Sequence, residues 1–182
     1  MAVADGVGGW NDVGVDPALF SKELCRHLWD EFILLKTLNL KILLDKAVLK
    51  TKSKGSSTFV MAGLDPDAQG VLKTLNLGDS GYIIARQENK KITQLYRSPE
   101  QLYGFDFPYQ CGTNCDLPSK DSDCRMHIVQ DRDFLILASD GVFDNLFDEE
   151  ILDCLRLSSN LMTDSDAEIA AVCIAKKAEA RS

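Results

Sequence analysis

Ser57-Thr58-Phe59-Val60-Met61-Ala62-Gly63-Leu64 opens the stretch that decides the fold, because here the hydrophobic period drops from about 3.6 residues to 2. Three more β-rich runs follow, Val71–Leu77, Tyr82–Arg86 and Ile92–Tyr96. They are divided by Asp65-Pro66-Asp67, Gly78-Asp79-Ser80-Gly81 and Glu88-Asn89-Lys90, all turn-forming compositions. An antiparallel meander is expected. Upstream, Asp16-Pro17 offers an N-cap and a proline at the first helical position, and Phe20, Leu24, Leu28, Phe32 and Leu35 recur at helical spacing, predicting a helix over Pro17–Leu35. A second helical pattern runs from Leu38 to Lys52 with Leu38, Ile42 and Leu49 on one side, and Gly55 closes it. Downstream, Met126–Val129 and Phe134–Ala138 read as strands across a polar turn, 130–133, and Asp148–Leu157 and Asp164–Ala180 as closing helices. Residues 97–124 show no period and read as a long loop. Central strands between helix pairs predict an α+β fold with sheets covered by helices, rather than alternating βαβ units. A dinucleotide-binding reading fails at once: Gly6-Val7-Gly8 is followed by Asn11 where a third glycine is needed.

The chain has 182 residues, 45% hydrophobic and 26% charged, a length and composition that predict one globular domain over 1–182. The longest apolar stretch, Trp29–Leu44, is interrupted by Asp30, Glu31, Lys36 and Lys41, so no membrane span is expected. Lys+Arg 20 against Asp+Glu 28 leaves a net charge of −8, which disfavours a nucleic-acid partner but not phosphate bound through a cation. No targeting signal is visible at Met1. Of the six cysteines, Cys25, Cys154 and Cys173 sit among apolar neighbours and read as reduced core residues. Cys111, Cys115, Cys124 and His127 have zinc-ligand chemistry but an unfamiliar spacing. His27, inside a helix, and His127, opening a strand, read as structural.

Three times an apolar strand runs into an aspartate flanked by glycine: Ala2-Val3-Ala4 into Asp5-Gly6, Val71–Leu77 into Gly78-Asp79-Ser80-Gly81, and Phe134–Ala138 into Ser139-Asp140-Gly141. One such junction is a turn. Three of them, if they share one rim of a sheet, crowd carboxylates whose mutual repulsion a hard divalent cation would offset, Mg²⁺ or Mn²⁺ by the oxygen chemistry of the donors. Two such ions could activate a water toward a phosphate ester without a nucleophilic side chain.

The blocks Ala4-Asp5-Gly6-Val7-Gly8-Gly9-Trp10, Gly55-Ser56-Ser57-Thr58, Asn76-Leu77-Gly78-Asp79-Ser80-Gly81 and Ser139-Asp140-Gly141-Val142-Phe143-Asp144-Asn145 resemble, in order and spacing, successive motifs of the metal-dependent type 2C (PPM) serine/threonine protein phosphatases. The residues beside the first and last blocks are most similar to the mitochondrial branch related to the T-cell activation protein phosphatase. The resemblance implies a β-sandwich of two antiparallel sheets flanked by antiparallel helix pairs. It implies hydrolysis of phosphoserine and phosphothreonine in phosphoproteins by a hydroxide bridging two Mg²⁺ or Mn²⁺ ions, with a third ion possible. Asp5 would bridge both ions, Gly6 would offer its carbonyl, and Asp140 would bind the second ion. Asp79 and Asp144 match the positions for a third. Apart from the resemblance, the loop around Phe105–Tyr109 reads either as structural or as a substrate flap.

Departures from the pattern carry expectations of their own. Val7 stands where many members have a histidine. The family's acidic pair and phosphate-binding arginine precede the first Asp-Gly block, and another metal-binding aspartate follows the last helices. Neither has a match here, so the chain reads as truncated at both ends and of poor stability alone. A catalytically incompetent pseudophosphatase or regulatory fragment of the same fold is the alternative. An aspartyl-nucleophile phosphatase of the haloacid-dehalogenase type would need an acidic residue where Ala138 stands. An intracellular location, mitochondrial or cytoplasmic, is expected, and the oligomeric state is left open.

Overall fold

The computed structural model describes residues 1–182 apart from 90, 106, 114, 116–117 and 159–162. Strand β1 (Ala2–Gly6) leads through a 3-10 turn (Gly8–Val13) into helices α1 (Pro17–Leu35) and α2 (Leu40–Lys50). Strands β2 (Ser56–Leu64), β3 (Val71–Leu77), β4 (Gly81–Glu88) and β5 (Lys91–Arg97) follow. Short strands β6 (Leu102–Gly104), β7 (Phe107–Pro108) and β8 (Cys111–Gly112) precede β9 (Asp123–Ile128) and β10 (Asp133–Ala138). The chain ends in α3 (Asp140–Phe143), α4 (Asp148–Ser158) and α5 (Asp164–Glu179). One sheet has the order β1-β2-β3-β9, with β8 also on β2; the other has the order β10-β4-β5, and β6 pairs with β7. Every pairing is antiparallel.

Period-2 alternation sorts the side chains into layers. In β2, Phe59 and Met61 face α1 and α2, where they are buried with Phe20, Leu24, Leu43 and Leu44. Val60 and Ala62 on the opposite face join Leu72, Tyr82 and Ile84 between the sheets. In β4, Ile83 and Ala85 turn outward to Ile151, Leu152, Leu155 and Ile174 of α4 and α5. The result is helix, sheet, sheet, helix, as the sequence implies. Each fully buried large side chain contributes roughly 1.5–3 kcal/mol to holding the layers together.

Helix starts follow local chemistry. Asp16 Oδ1 accepts from the Ala18 amide at 2.9 Å and Pro17 occupies the first position of α1. Asn39 Oδ1 accepts from the Ile42 amide at 3.2 Å, which starts α2 two residues later than its hydrophobic pattern indicates. The helix carries two apolar stripes and the other one packs: Leu40, Leu43, Leu44 and Ala47 are buried, while Ile42 and Leu49, expected on the inner side, are exposed. Thr163 and Asp166 form a reciprocal capping box at the start of α5.

The expected four-strand meander is not continuous. β2 and β3 belong to one sheet, β4 and β5 to the other, and the segment 78–80 crosses between them. Gly78 has φ 98°, and a Cβ there would meet the Tyr109 carbonyl oxygen at 2.4 Å, so the chain turns away where only glycine fits. β9 and β10 also pair in different sheets, with β3 and β4 respectively, although both ends of their turn are tied by Asp133, which accepts from the Gln130 amide and from Arg86. Part of the expected 97–124 loop is the β6–β7 hairpin and β8. Asp148, Glu149 and Glu150, in the first turn of α4, pair with Arg97, Arg156 and Arg181 respectively.

Cys154 and Cys173, expected as reduced core thiols, form a disulfide between α4 and α5. Their helices pack antiparallel with the two Cα atoms 5.7 Å apart, within bridging distance. The four remaining cysteines are free. Cys111 is buried, Cys115 and Cys124 are exposed, and Cys124 and His127 lie on opposite faces of β9. Closing a loop with a sequence separation of 19 should add about 3 kcal/mol. Adding dithiothreitol is therefore expected to lower the urea midpoint of the wild type, and to leave that of Cys154→Ser/Cys173→Ser unchanged; equal midpoints for the wild type with and without reductant would show that the bridge does not form.

Candidate metal centre

The topology brings the three Asp-Gly junctions to one rim. β1 and β3 are both antiparallel to β2, so they run parallel to each other and both end beside the start of β2, where Asp5 faces Thr58 and Leu77 faces Phe59. In the second sheet, Ala138 at the end of β10 faces Gly81 at the start of β4, so Asp140 emerges beside the 78–80 crossing. Asp5 is the penultimate residue of β1 and Gly6 the last. Asp140 opens α3, and Asp144 follows one turn later with its amide donating to the Asp140 carbonyl at 2.8 Å.

Polar side chains to which the sequence reading gave no role, although most lie within the resembling blocks, lock this rim. Ser57 Oγ donates to the Asp5 carbonyl oxygen at 2.8 Å. Thr58 Oγ1 and Ser80 Oγ lie 2.7 Å apart, a buried hydroxyl pair joining the two sheets. Trp10 Nε1 donates to Ser56 Oγ at 2.6 Å, and Ser56 donates to Gln110 at 2.5 Å. Their only sequence signal is the small-polar run Gly55-Ser56-Ser57-Thr58, whose hydroxyls are unremarkable until a strand is placed on each side. Gly6 is fixed by close approach: a Cβ there would meet the Pro17 carbonyl oxygen at 2.2 Å. Phe143 of α3 is held by the Arg97 guanidinium, 4.1 Å above its ring. At the same rim the Gln101 amide donates to the Gly78 carbonyl at 3.0 Å, anchoring the β6–β7 hairpin next to Asp79. In that hairpin Tyr103 stacks on Tyr109 at 3.9 Å; Asp106 of the expected flap lies outside the described residues.

Electrostatics set Asp5 apart. Burial, a hydrogen bond with Asp140 and the Asp140 charge push its pKa up to about 6, against an opposing hydrogen bond from Ser139. Asp79 is also raised, by burial first and then by the charges of Asp140, Asp144 and Glu100. The charges acting on both groups are negative, so their ionisation calls for a cation.

Residues 121–182 match the family model of protein phosphatase 2C. Probable protein phosphatase 2C 80 of Arabidopsis thaliana is 39% identical over 156 residues, covering 83% of this chain and 36% of that protein. Protein phosphatase PTC7 homolog fig of Drosophila ananassae is 33% identical over 197 residues, covering 98% of this chain and 57% of that one. Among solved structures, the photosystem II phosphatase PBCP superposes with a TM-score of 0.84 at 32% identity, over 97% of this chain and 66% of that one. The chain belongs to the protein phosphatase 2C family. It spans between about a third and just over half of the two curated relatives.

Protein phosphatases 2C are metal-dependent, and the residues of this rim fit a hard cation in part. The oxygen donors and their uncompensated charge suit Mg²⁺ or Mn²⁺, which retain several waters beside one or two carboxylates. Among the described residues, no group of three carboxylate, imidazole or thiolate side chains is close enough to enclose an ion. The Asp5–Asp140 pair therefore fits one cation with water completing its sphere, and a second requires donors beyond these side chains.

Because the Asp5 pKa is raised on folding, the folded chain holds a proton that the unfolded chain releases, and metal-free stability is expected to fall as pH rises from about 4 to 6. Asp140→Asn removes the opposing charge. It should raise the metal-free melting temperature at pH 7 and abolish the further rise on adding Mn²⁺; an unchanged metal-free melting temperature would mean that the two carboxyls do not repel.

Proposed function

We propose that residues 1–182 form one phosphatase domain, the core of a hydrolase that removes phosphate from phosphoserine and phosphothreonine in protein substrates with Mg²⁺ or Mn²⁺ as cofactor. The observation that carries this reading is the pair Asp5, at the end of β1, and Asp140, opening α3 after β10, which interact through their carboxyls with the Asp79 charge close enough to act on Asp5. In this reading Asp5 and Asp140 hold the metal, two ions in the full protein, with Gly6 offering its carbonyl and Asp79 and Asp144 serving a third. Bound there, the ions would lower the pKa of a water for attack on phosphorus and neutralise the phosphoryl oxygens.

The chain's own residues position and shield. The Gly141 amide donates to Asp140 Oδ1 at 2.6 Å and Ser139 donates to Asp5, so each carboxyl keeps an oriented lone pair for metal. Val7 has no acidic proton to give, so the leaving serine or threonine oxygen takes one from water or from another residue. The aromatic β6–β7 hairpin, anchored beside Asp79, would lie against the substrate polypeptide. Membership of the mitochondrial branch and an intracellular location, mitochondrial or cytoplasmic, are part of this proposal. No described helix is long and apolar enough to cross a membrane.

Hydrolysis of an aryl phosphate and of a phosphothreonine peptide is expected with Mn²⁺ and not with EDTA. Asp5→Asn and Asp140→Asn should each cost about a hundredfold or more in kcat, the equivalent of the several kcal/mol a Lewis acid supplies. No turnover at saturating Mn²⁺, in a protein whose melting temperature Mn²⁺ raises, would favour the pseudophosphatase reading instead.

A further inference from the structure

A chain of net charge −8 carries a compact basic strip beginning beside its acidic rim. The segment Lys50-Thr51-Lys52-Ser53-Lys54 links α2 to β2 with every second residue cationic. Lys54 extends over the Trp10 ring, its Nζ 5.7 Å from the centroid, and Trp10 is bonded to Ser56 at the start of β2. The next residues along the strip come from α1. Lys22 and Arg26 line a shared hollow with Ser53, and both are exposed, as are Lys52 and Lys54.

One carboxylate, Glu23, builds this surface and is consumed in doing so. It accepts from the Ser53 amide at 2.7 Å and the Lys52 amide at 3.2 Å, and it lies 3.3 Å from His27 Nε2. Those bonds hold its pKa at about 2, so it stays ionised and clamps the segment to α1. Lys52 Nζ is fixed on the Leu49 carbonyl at 3.2 Å, at the end of α2. Lys50 is taken by the buried Glu31 and is not part of the free surface. Four exposed cations, Lys22, Arg26, Lys52 and Lys54, thus border one engaged carboxylate, Glu23, which also lies 3.7 Å from the Arg26 guanidinium.

We infer that this strip is a docking track for the acidic flank of a protein substrate, an Asp- and Glu-rich segment next to the phosphorylated residue. The inference rests on the phosphatase reading for its biological sense but not for its test. The acidic rim repels an anionic polypeptide, so a substrate of that charge needs a counter-field where it arrives, and the strip starts one side chain, Trp10, from the strand start that carries Thr58 opposite Asp5. A peptide is favoured over a nucleic acid or an anionic membrane because the strip is four side chains wide on a strongly acidic molecule.

The test is fluorescence anisotropy on the full chain in EDTA, with a labelled twelve-residue peptide rich in Asp and Glu and a neutral one of equal length, neither phosphorylated. At low salt the acidic peptide should bind about tenfold more tightly, a margin in keeping with four exposed charge pairs, and raising NaCl to 0.5 M should remove it. Lys22→Gln/Arg26→Gln/Lys52→Gln/Lys54→Gln should abolish the preference. Should that variant fail to fold, Lys22→Glu/Arg26→Glu, confined to the exposed face of α1, should invert it. Equal binding of the two peptides by the wild type, a preference that survives the substitutions, or tighter binding of a single-stranded RNA or of phosphatidylserine vesicles each overturns the inference. Absence of hydrolysis in the Mn²⁺ assay would defeat the phosphatase reading while leaving these binding results to stand or fall separately.

Discussion

Strand β2 is paired antiparallel on both sides, and that constraint governs what the molecule does. Its neighbours must run the same way as each other and deliver their carboxyl ends to a common place, Asp5 from one and the Gly78–Asp79 crossing from the other. β10 arrives from the second sheet and adds Asp140. Backbone hydrogen bonding, which is indifferent to charge, thus forces carboxyl groups together against Coulomb repulsion. The raised Asp5 pKa reflects burial first and the neighbouring Asp140 carboxyl second, and a divalent cation is the natural way to offset both. The sandwich stores an electrostatic conflict that a cation bound there would resolve.

Most of the layer structure was legible because alternation and helix capping are local. Phe59 and Val60 announce two buried faces in adjacent letters, and Asp16-Pro17 announces a helix start. Sheet membership was not legible. Nothing within Gly78-Asp79-Ser80-Gly81 distinguishes a hairpin from a crossing, since the deciding contact is with Tyr109, thirty-one residues away from Gly78. The face of α2 was misjudged for a similar reason: the helix carries two apolar stripes, and only its docking on α1 and the sheet decides that Leu40, Leu43, Leu44 and Ala47 turn inward while Ile42 and Leu49 face solvent.

The candidate site shows the same division. Its carboxylates could be nominated from the repeated strand-Asp-Gly pattern together with the family resemblance. The holding roles of Ser57, Thr58, Ser80 and Ser139 could not, although these residues lie within the resembling blocks, because their partners come from other segments. The Cys154–Cys173 bridge was also invisible, as both cysteines have the apolar neighbours of packed thiols and only the docking of α4 on α5 brings them within reach.

The hydroxyl pair Thr58–Ser80 spans from one sheet to the other at the height of the carboxylates. Interior side chains such as Val60, Tyr82 and Ile84 are close-packed behind it and set how far apart the sheets stand. The thickness of the hydrophobic filling therefore acts as a spacer block for the charged edge. Swapping a buried methyl group for a larger one deep inside would widen the jaws at the far end, and discrimination between ions of different radius would be tuned from a place that no ion ever touches.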